Sequence, residues 1–96
     1  QNGVLDLKTF EFMEHSPDFL CSKMANVVYD PEQSANTWET FVNQVMEENK
    51  PKIEYLQKLF GYALTGSTAE ECCYMLYGST TRNGKSTAVE TFAYML

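Results

Sequence analysis

The residues between Gly78 and Thr87 have types and spacing that indicate a chemistry. An apolar stretch at residues 72–77 precedes them, and Gly84-Lys85-Ser86-Thr87 then opens a segment with helical spacing. This order of strand, loop and helix is that of a phosphate-binding P-loop. In such a loop, backbone N–H groups and the positive end of the helix hold phosphate oxygens. The sequence therefore predicts a nucleotide site over residues 78–87.

Ten consecutive residues are predicted to bind the phosphates: Gly78, Ser79, Thr80, Thr81, Arg82, Asn83, Gly84, Lys85, Ser86 and Thr87. Lys85 would be the catalytic residue, because its charge can contact the β- and γ-phosphates, and the Ser86 hydroxyl would ligate Mg²⁺. The expected cofactors are ATP and Mg²⁺.

The spacing departs from the pattern G-x-x-x-x-G-K-[ST] at the first glycine. Ser79 stands at that position, and Gly78 lies one residue earlier. Either Ser79 tolerates the turn that glycine normally makes there, or the loop is one residue longer. An ordinary polar turn before a helix is the alternative interpretation.

A P-loop fold needs more chain than follows this loop. Parallel strands require crossover connections of about a dozen residues or more, and nine residues follow Thr87. We therefore expect a fragment of a longer ATPase that is inactive by itself. The acidic residue that holds magnesium and the arginine that stabilises the transferring phosphoryl group would lie outside it.

Composition limits the classes of function open to the chain. Its 96 residues are 44% hydrophobic and carry a net charge of −6, so disorder is excluded and no broad positive field is available for nucleic acid. No apolar run approaches the ~20 residues of a membrane span, and the first residues lack a signal peptide. We expect a soluble, cytoplasmic protein without a membrane partner. Cys21, Cys72 and Cys73 are expected to be buried free thiols.

The hydrophobic periodicity predicts an α+β fold in three segments. Residues 1–35 are β-rich, with a hairpin from residues 4–7 and 11–14 and a further strand at residues 24–29. Residues 36–66 form an antiparallel helical hairpin, and residues 67–96 begin a truncated α/β ATPase domain with a central strand at 72–77. The three segments would form one compact unit.

Two amphipathic helices are predicted in the middle segment. Asn36 is expected to cap the first, whose apolar face is Trp38, Phe41, Val42, Val45 and Met46. Pro51 suits the first turn of the second, whose face is Ile53, Leu56, Phe60, Ala63 and Leu64. Gly61 inside that helix predicts a close approach by a neighbouring backbone. The face of the final helix is predicted from Val89, Phe92, Ala93 and Leu96.

The chain resembles the phage and plasmid primase-helicase family, superfamily 3 helicases with poxvirus relatives. The resemblance rests on short runs in a shared order: NGVLDLKT at 2–9, HSPD at 15–18, YDP at 29–31, Trp38, IEYLQ at 53–57, FGYALTG at 60–66, LYG at 76–78 and RNGKST at 82–87. The family usually has glycine where this chain has Phe10. The Ser79-Thr80-Thr81 insertion also departs from the family's shorter phosphate loop.

The resemblance implies a fragment of a phage- or plasmid-type replicative primase-helicase that couples ATP hydrolysis to DNA unwinding. It further implies a ring hexamer, a helical collar at about residues 36–66, and DNA contacts in regions outside this chain. A bacterial host cytoplasm would be the location of a phage-related protein. No primase active site can be assigned.

Two other functions remain open from the residues. The chain could be an α+β interaction or oligomerisation module with a non-functional P-loop-like turn, which an unchanged behaviour of Lys85→Ala would favour. It could also belong to another class of P-loop enzyme, such as a small-molecule kinase, which would need an acceptor-substrate lid.

Overall fold

The computed structural model describes residues 1–96 and has an α+β fold with three helices and one two-stranded antiparallel sheet. In chain order the elements are β1 (Val4–Leu5), β2 (Phe12–Met13), a 3-10 turn (Pro17–Phe19), α1 (Asn36–Val45), α2 (Lys50–Leu64) and α3 (Lys85–Met95). The chain divides into two units, Gln1–Gln33 with Glu90–Leu96 and Ser34–Val89. The three predicted segments stay a prediction.

The predicted N-terminal hairpin is present, and β1 pairs with β2 in the register Val4↔Met13 and Leu5↔Phe12. Asp6 organises its turn, because its carboxylate accepts hydrogen bonds from the backbone N–H groups of Lys8 (2.7 Å) and Thr9 (3.3 Å). These bonds stabilise the charged form and lower the pKa of Asp6 below 3.8. Phe10 completes the turn with a φ of 59°, a left-handed conformation that glycine adopts more easily.

The strand predicted at residues 24–29 is absent. Its β-branched residues Val27 and Val28 favour a strand, but a strand forms only where a neighbour accepts its backbone hydrogen bonds. Here the local backbone bonds to polar groups at the N-terminus, since the Gln1 amino group donates to Val27 O at 2.6 Å.

Helices α1 and α2 lie close to the predicted boundaries. The prediction that Asn36 caps α1 is wrong. Asn36 is the first residue of the helix, and the preceding residue, Ala35, makes no side-chain hydrogen bond to it. The cap of α2 is Asn49, whose Oδ1 accepts from Lys52 N–H at 3.2 Å. Pro51 lies in the first turn of α2, as predicted.

The core lies in the unit Ser34–Val89. Its three buried side chains are Val42, Leu56 and Ala88. Trp38 at the start of α1 lies 6.0 Å from Phe60 near the end of α2, measured between ring centroids. Because the two helices are joined by a short turn, this contact requires them to run antiparallel, which confirms the helical hairpin.

The second half of the α2 face is more exposed than predicted. Ala63 and Leu64 are exposed, whereas Leu59 and Tyr62 are half-buried. The proposed backbone approach at Gly61 is also wrong, because a Cβ built there meets nothing within 4 Å. The glycine therefore has no packing role within this chain.

The central strand predicted at residues 72–77 is the main correction to the fold, because the structure contains no strand there. A central strand needs neighbours on both edges, and no other strand lies in the unit Ser34–Val89. Exposure still alternates as in an extended chain: 44% for Tyr74, 88% for Met75, 37% for Leu76 and 85% for Tyr77. One side of the segment is therefore less exposed than the other.

Two smaller predictions, the burial of the cysteines and the apolar face of the final helix, are wrong wholly or in part because these side chains are exposed. Cys21, Cys72 and Cys73 are free thiols, as predicted, but all three are exposed. On α3 the buried residue is Ala88, and the predicted face fails at Val89 and Leu96, which are exposed. Phe92 is half-buried.

Candidate phosphate-binding site

The loop at residues 78–84 leads into α3 through Gly84. This glycine has a φ of 81°, and a Cβ at its position would lie 2.6 Å from Val45 Cγ1 and 3.1 Å from the Phe41 ring. Both neighbours belong to the apolar face of α1. Glycine is therefore required twice, for its backbone conformation and for its close packing against α1.

The first turn of α3 presents free backbone donors. The first intrahelical hydrogen bond runs from Ala88 N–H to Gly84 O at 2.9 Å. The N–H groups of Lys85, Ser86 and Thr87 consequently have no acceptor within the helix, and the helix dipole makes this end positive. The Ser86 and Thr87 side chains are exposed beside them.

Lys85 lies at the centre of the loop rather than pointing into solvent. It is half-buried, and its Nζ donates a hydrogen bond to Asn83 Oδ1. Asn83 Nδ2 in turn donates to the Thr80 carbonyl at 3.0 Å. A Cβ at Gly78 would overlap the Asn83 amide and lie 3.3 Å from Lys85 Nζ. The structure therefore explains Gly78 by the space that these two side chains occupy.

An open groove of about 790 Å³ lies between this loop and α1. It is lined by Phe41, Gln44, Val45, Glu47, Arg82, Asn83, Gly84, Ser86 and Thr87. Arg82 and the α3 N-terminus are its positive groups, and Glu47 is the one carboxylate in the lining. An anion at the start of α3 would lie in this groove.

The structure brings eight of the ten predicted site residues into two clusters. Gly78, Thr80, Asn83 and Lys85 form the closed interior of the loop, and Arg82, Asn83, Gly84, Ser86 and Thr87 line the groove. Ser79 and Thr81 are exposed and belong to neither cluster.

Sequence reasoning missed one contributor to the site, helix α1, and the structural role of a second, Asn83. The contact of α1 with Gly84 follows from the apolar face of that helix, but nothing in the spacing says what that face covers. The role of Asn83 as the centre of the loop's hydrogen bonds was not predicted either, because an asparagine before glycine is common in ordinary turns.

The donors present suit a phosphate group, whereas they supply little for a metal ion. Backbone N–H groups, an ammonium and two hydroxyls are the groups that bind phosphate oxygens. No cluster of three or more histidine, cysteine, aspartate or glutamate side chains exists in the chain. The role of Ser86 as a magnesium ligand stays a prediction.

A second groove, of about 590 Å³, lies between α2 and the segment 73–77. Tyr55, Leu56 and Leu59 form its α2 side. At its end, a hydrogen bond with Cys72 raises the pKa of Tyr74 to about 12. The groove is mostly apolar, and its polar groups are those of Lys52, Cys73 and the tyrosines Tyr55, Tyr74 and Tyr77.

Comparisons with known proteins find two similarities. Residues 1–47 match the family model described as "D5 N terminal like". The whole chain is also 31% identical, over 100 aligned residues, to the Acanthamoeba polyphaga mimivirus protein named "Putative helicase L207/L206". Both matches support a relationship to the D5-like primase-helicases. It spans about a tenth of the length of the mimivirus protein, and no solved structure matches it.

In the region matched by the D5-like model, Asn2 and Tyr29 are joined by two reciprocal hydrogen bonds. Asn2 Nδ2 donates to Tyr29 O, and Tyr29 N–H donates to Asn2 Oδ1, each at 2.8 Å. The Tyr29 ring lies 5.1 Å from Phe12. The runs NGVLDLKT and YDP, which carry the resemblance, therefore meet in the structure, and the Asn2 side chain has a structural role there.

His15 is exposed, and its Nε2 lies 2.9 Å from Gln1 O. None of the three helices is long and apolar enough to span a membrane.

Proposed function

We propose that this chain is the part of a D5-like primase-helicase in which a helical collar, α1 and α2, supports an ATP-binding loop. The whole protein would couple ATP hydrolysis to DNA unwinding during replication. The observation that carries the proposal is the direct packing of Gly84 on α1, with Lys85 in the loop and the α3 N-terminus opening into a groove.

The chemistry of the loop supports phosphate binding. The free N–H groups of Lys85, Ser86 and Thr87 and the helix dipole favour an anion. Lys85 would supply a point charge to the β- and γ-phosphates, and the Ser86 hydroxyl would hold Mg²⁺. Because Gly84 packs against Phe41 and Val45, a movement of the loop on nucleotide binding would displace α1 first.

DNA and further copies of the chain are the proposed partners, with a ring hexamer as the assembly. The net charge of −6 gives this segment no general attraction for DNA. The DNA contacts are therefore proposed for other parts of the protein.

The test is calorimetric titration of Mg·ATP into the 96-residue chain and into the longer protein that the proposal requires, each beside its Lys85→Ala variant. The short chain should bind ATP weakly and not hydrolyse it, because residues 72–77 lack sheet neighbours. The longer protein should bind and hydrolyse ATP, and Lys85→Ala should abolish both. ATP binding by the longer protein that does not depend on Lys85 would contradict the proposal.

A second candidate function is an interaction module whose loop binds no nucleotide. The open side of the segment 72–77 favours it, since Met75 and Tyr77 are almost fully exposed. If neither the short chain nor the longer protein binds ATP, this function replaces the first.

A further inference from the structure

The carboxamide of Asn83 is engaged at both ends inside the phosphate loop. Its nitrogen donates to Thr80 O at 3.0 Å, and its oxygen accepts from Lys85 Nζ. The absence of a side chain at Gly78 leaves room for the amide, because a Cβ there would overlap it. The loop is thereby closed on itself by one side chain.

The position of the carboxamide oxygen determines what Lys85 can do. A P-loop lysine acts by donating to phosphate oxygens, but here the Lys85 ammonium already donates to a neutral oxygen of its own loop. A phosphate oxygen and Asn83 Oδ1 are both acceptors for the same donor. The ammonium has three N–H donors, but Lys85 is not among the residues that line the groove, so its Nζ would have to leave Asn83 Oδ1 to reach a phosphate there.

We propose that Asn83 closes the phosphate loop when no nucleotide is bound, and that phosphate binding requires its side chain to leave. On binding, the Lys85 ammonium would exchange Asn83 Oδ1 for a phosphate oxygen, and the Asn83 amide would release Thr80 O. This inference rests on the proposed function, since it assumes that the loop takes phosphates. Asn83 is then the residue that sets the affinity of the loop for a triphosphate.

Substitutions at position 83 have opposite expected effects. Asn83→Ala removes the competing acceptor and should tighten anion binding by about 3-fold to 10-fold, a modest gain because the loop is partly exposed. Asn83→Asp places a carboxylate beside Lys85, which pairs more strongly with the ammonium and repels phosphate. That variant should bind more weakly than the natural chain.

The first experiment observes the closed loop directly by NMR. The side-chain amide resonances of Asn83 are recorded in the 96-residue chain and in Lys85→Met, which keeps the aliphatic stem but removes the donor. A clear shift of the Asn83 amide resonances is expected, with those of Asn43 unchanged. Asn83 resonances that are insensitive to Lys85→Met would overturn the proposal.

The second experiment measures competition with inorganic tripolyphosphate, by calorimetry at low salt. Asn83→Ala should bind more tightly and Asn83→Asp more weakly than the natural chain, and adding Lys85→Met to Asn83→Ala should remove the gain. Asn43→Ala is the matched control, because its amide also donates to a backbone carbonyl, Glu39 O at 2.7 Å, but lies outside the groove lining. It should bind as the natural chain does.

Equal or weaker binding by Asn83→Ala would overturn the proposal, as would a lack of tripolyphosphate binding in every variant. Failure of the proposed function alone has a different outcome. Tripolyphosphate binding would then still tighten in Asn83→Ala, while the longer protein would show no ATP hydrolysis.

Discussion

The helical hairpin and the segment 72–77 lie in the same unit of the chain and both carry apolar side chains, but only the helical hairpin forms regular secondary structure. Helices α1 and α2 bury Val42 and Leu56 and join Trp38 to Phe60. The segment 72–77 contacts α2 on one side, pairs with no strand, and leaves Met75 88% exposed.

The difference follows from where each element finds its hydrogen bonds. A helix satisfies its backbone within its own residues, so an apolar face and a neighbouring helix are enough. A strand satisfies its backbone only through other strands. The candidate phosphate-binding loop that follows is therefore packed against α1 on one side and lacks a sheet on the other.

The largest expected effect contrasts a buried leucine with an exposed methionine. Leu56→Ala should lower the free energy of unfolding by about 3 kcal/mol, because it opens a cavity in a small core. Met75→Ala should change it by less than about 0.5 kcal/mol. Urea unfolding followed by circular dichroism measures both. Equal losses would show that the segment 72–77 is packed as firmly as α2.

A second substitution tests the support of the loop by α1. Gly84→Ala should cost about 2 kcal/mol or more, since alanine is strained at a φ of 81° and its Cβ would overlap Val45. Thermal unfolding measures the loss. Combining it with Val45→Ala should recover the part due to overlap, and no recovery would contradict the contact.

Within the helical hairpin, Gly61→Ala should raise the free energy of unfolding rather than lower it. Alanine should stabilise α2 by about 1 kcal/mol, because Gly61 is in a helix interior with nothing within 4 Å of its Cβ position. The same unfolding measurement applies. Destabilisation would mean that another backbone does approach this site.

The N-terminal hairpin, like the helices, is completed by local bonds, and its turn should respond locally. Phe10→Gly should stabilise it by about 0.5 kcal/mol, since glycine adopts a φ of 59° with less strain. Phe10→Ala is the control and should give no such gain, because it keeps the strained conformation. NMR line positions in β1 and β2 report the hairpin population, and equal responses to both substitutions would contradict the strain.

The smallest expected effect is a pH dependence of the same turn. The pKa of Asp6 is lowered below 3.8, so its contribution to stability is present above pH 3.8 and is lost as the pH falls through the lowered pKa. The amide resonances of Lys8 and Thr9 should titrate with a midpoint below 3.8. In Asp6→Asn this transition should vanish, and a midpoint at or above 3.8 in the natural chain would exclude the turn bonds.

The sequence predicted the elements whose signals are local. The predictions of the N-terminal β-hairpin, of the apolar face of α1 and of Pro51 in the first turn of α2 are confirmed. Their signals, namely alternation, helical spacing and the proline itself, act within a few residues. The sequence could not predict whether the segment 72–77 would find a strand to pair with, nor that α3 would bury Ala88 rather than Val89. Both depend on partners distant in sequence.

The candidate site divides in the same way. The spacing of Gly84, Lys85 and Ser86 was sufficient to propose a phosphate loop at the start of a helix. The role of Asn83 depends on side-chain geometry across the loop, and the contact between Gly84 and Val45 joins residues far apart in the chain. Neither has a signal in a single sequence.

Hydrogen exchange of the backbone amides in the 96-residue chain tests the central contrast most directly. Amides in the middle of α2, around Leu56, should be protected, whereas those of Tyr74, Met75 and Leu76 should exchange at nearly the rate of an unfolded chain. Protection of residues 74–76 equal to that of α2 would contradict the account, because it would show that this segment already has the hydrogen-bonding partners of a strand.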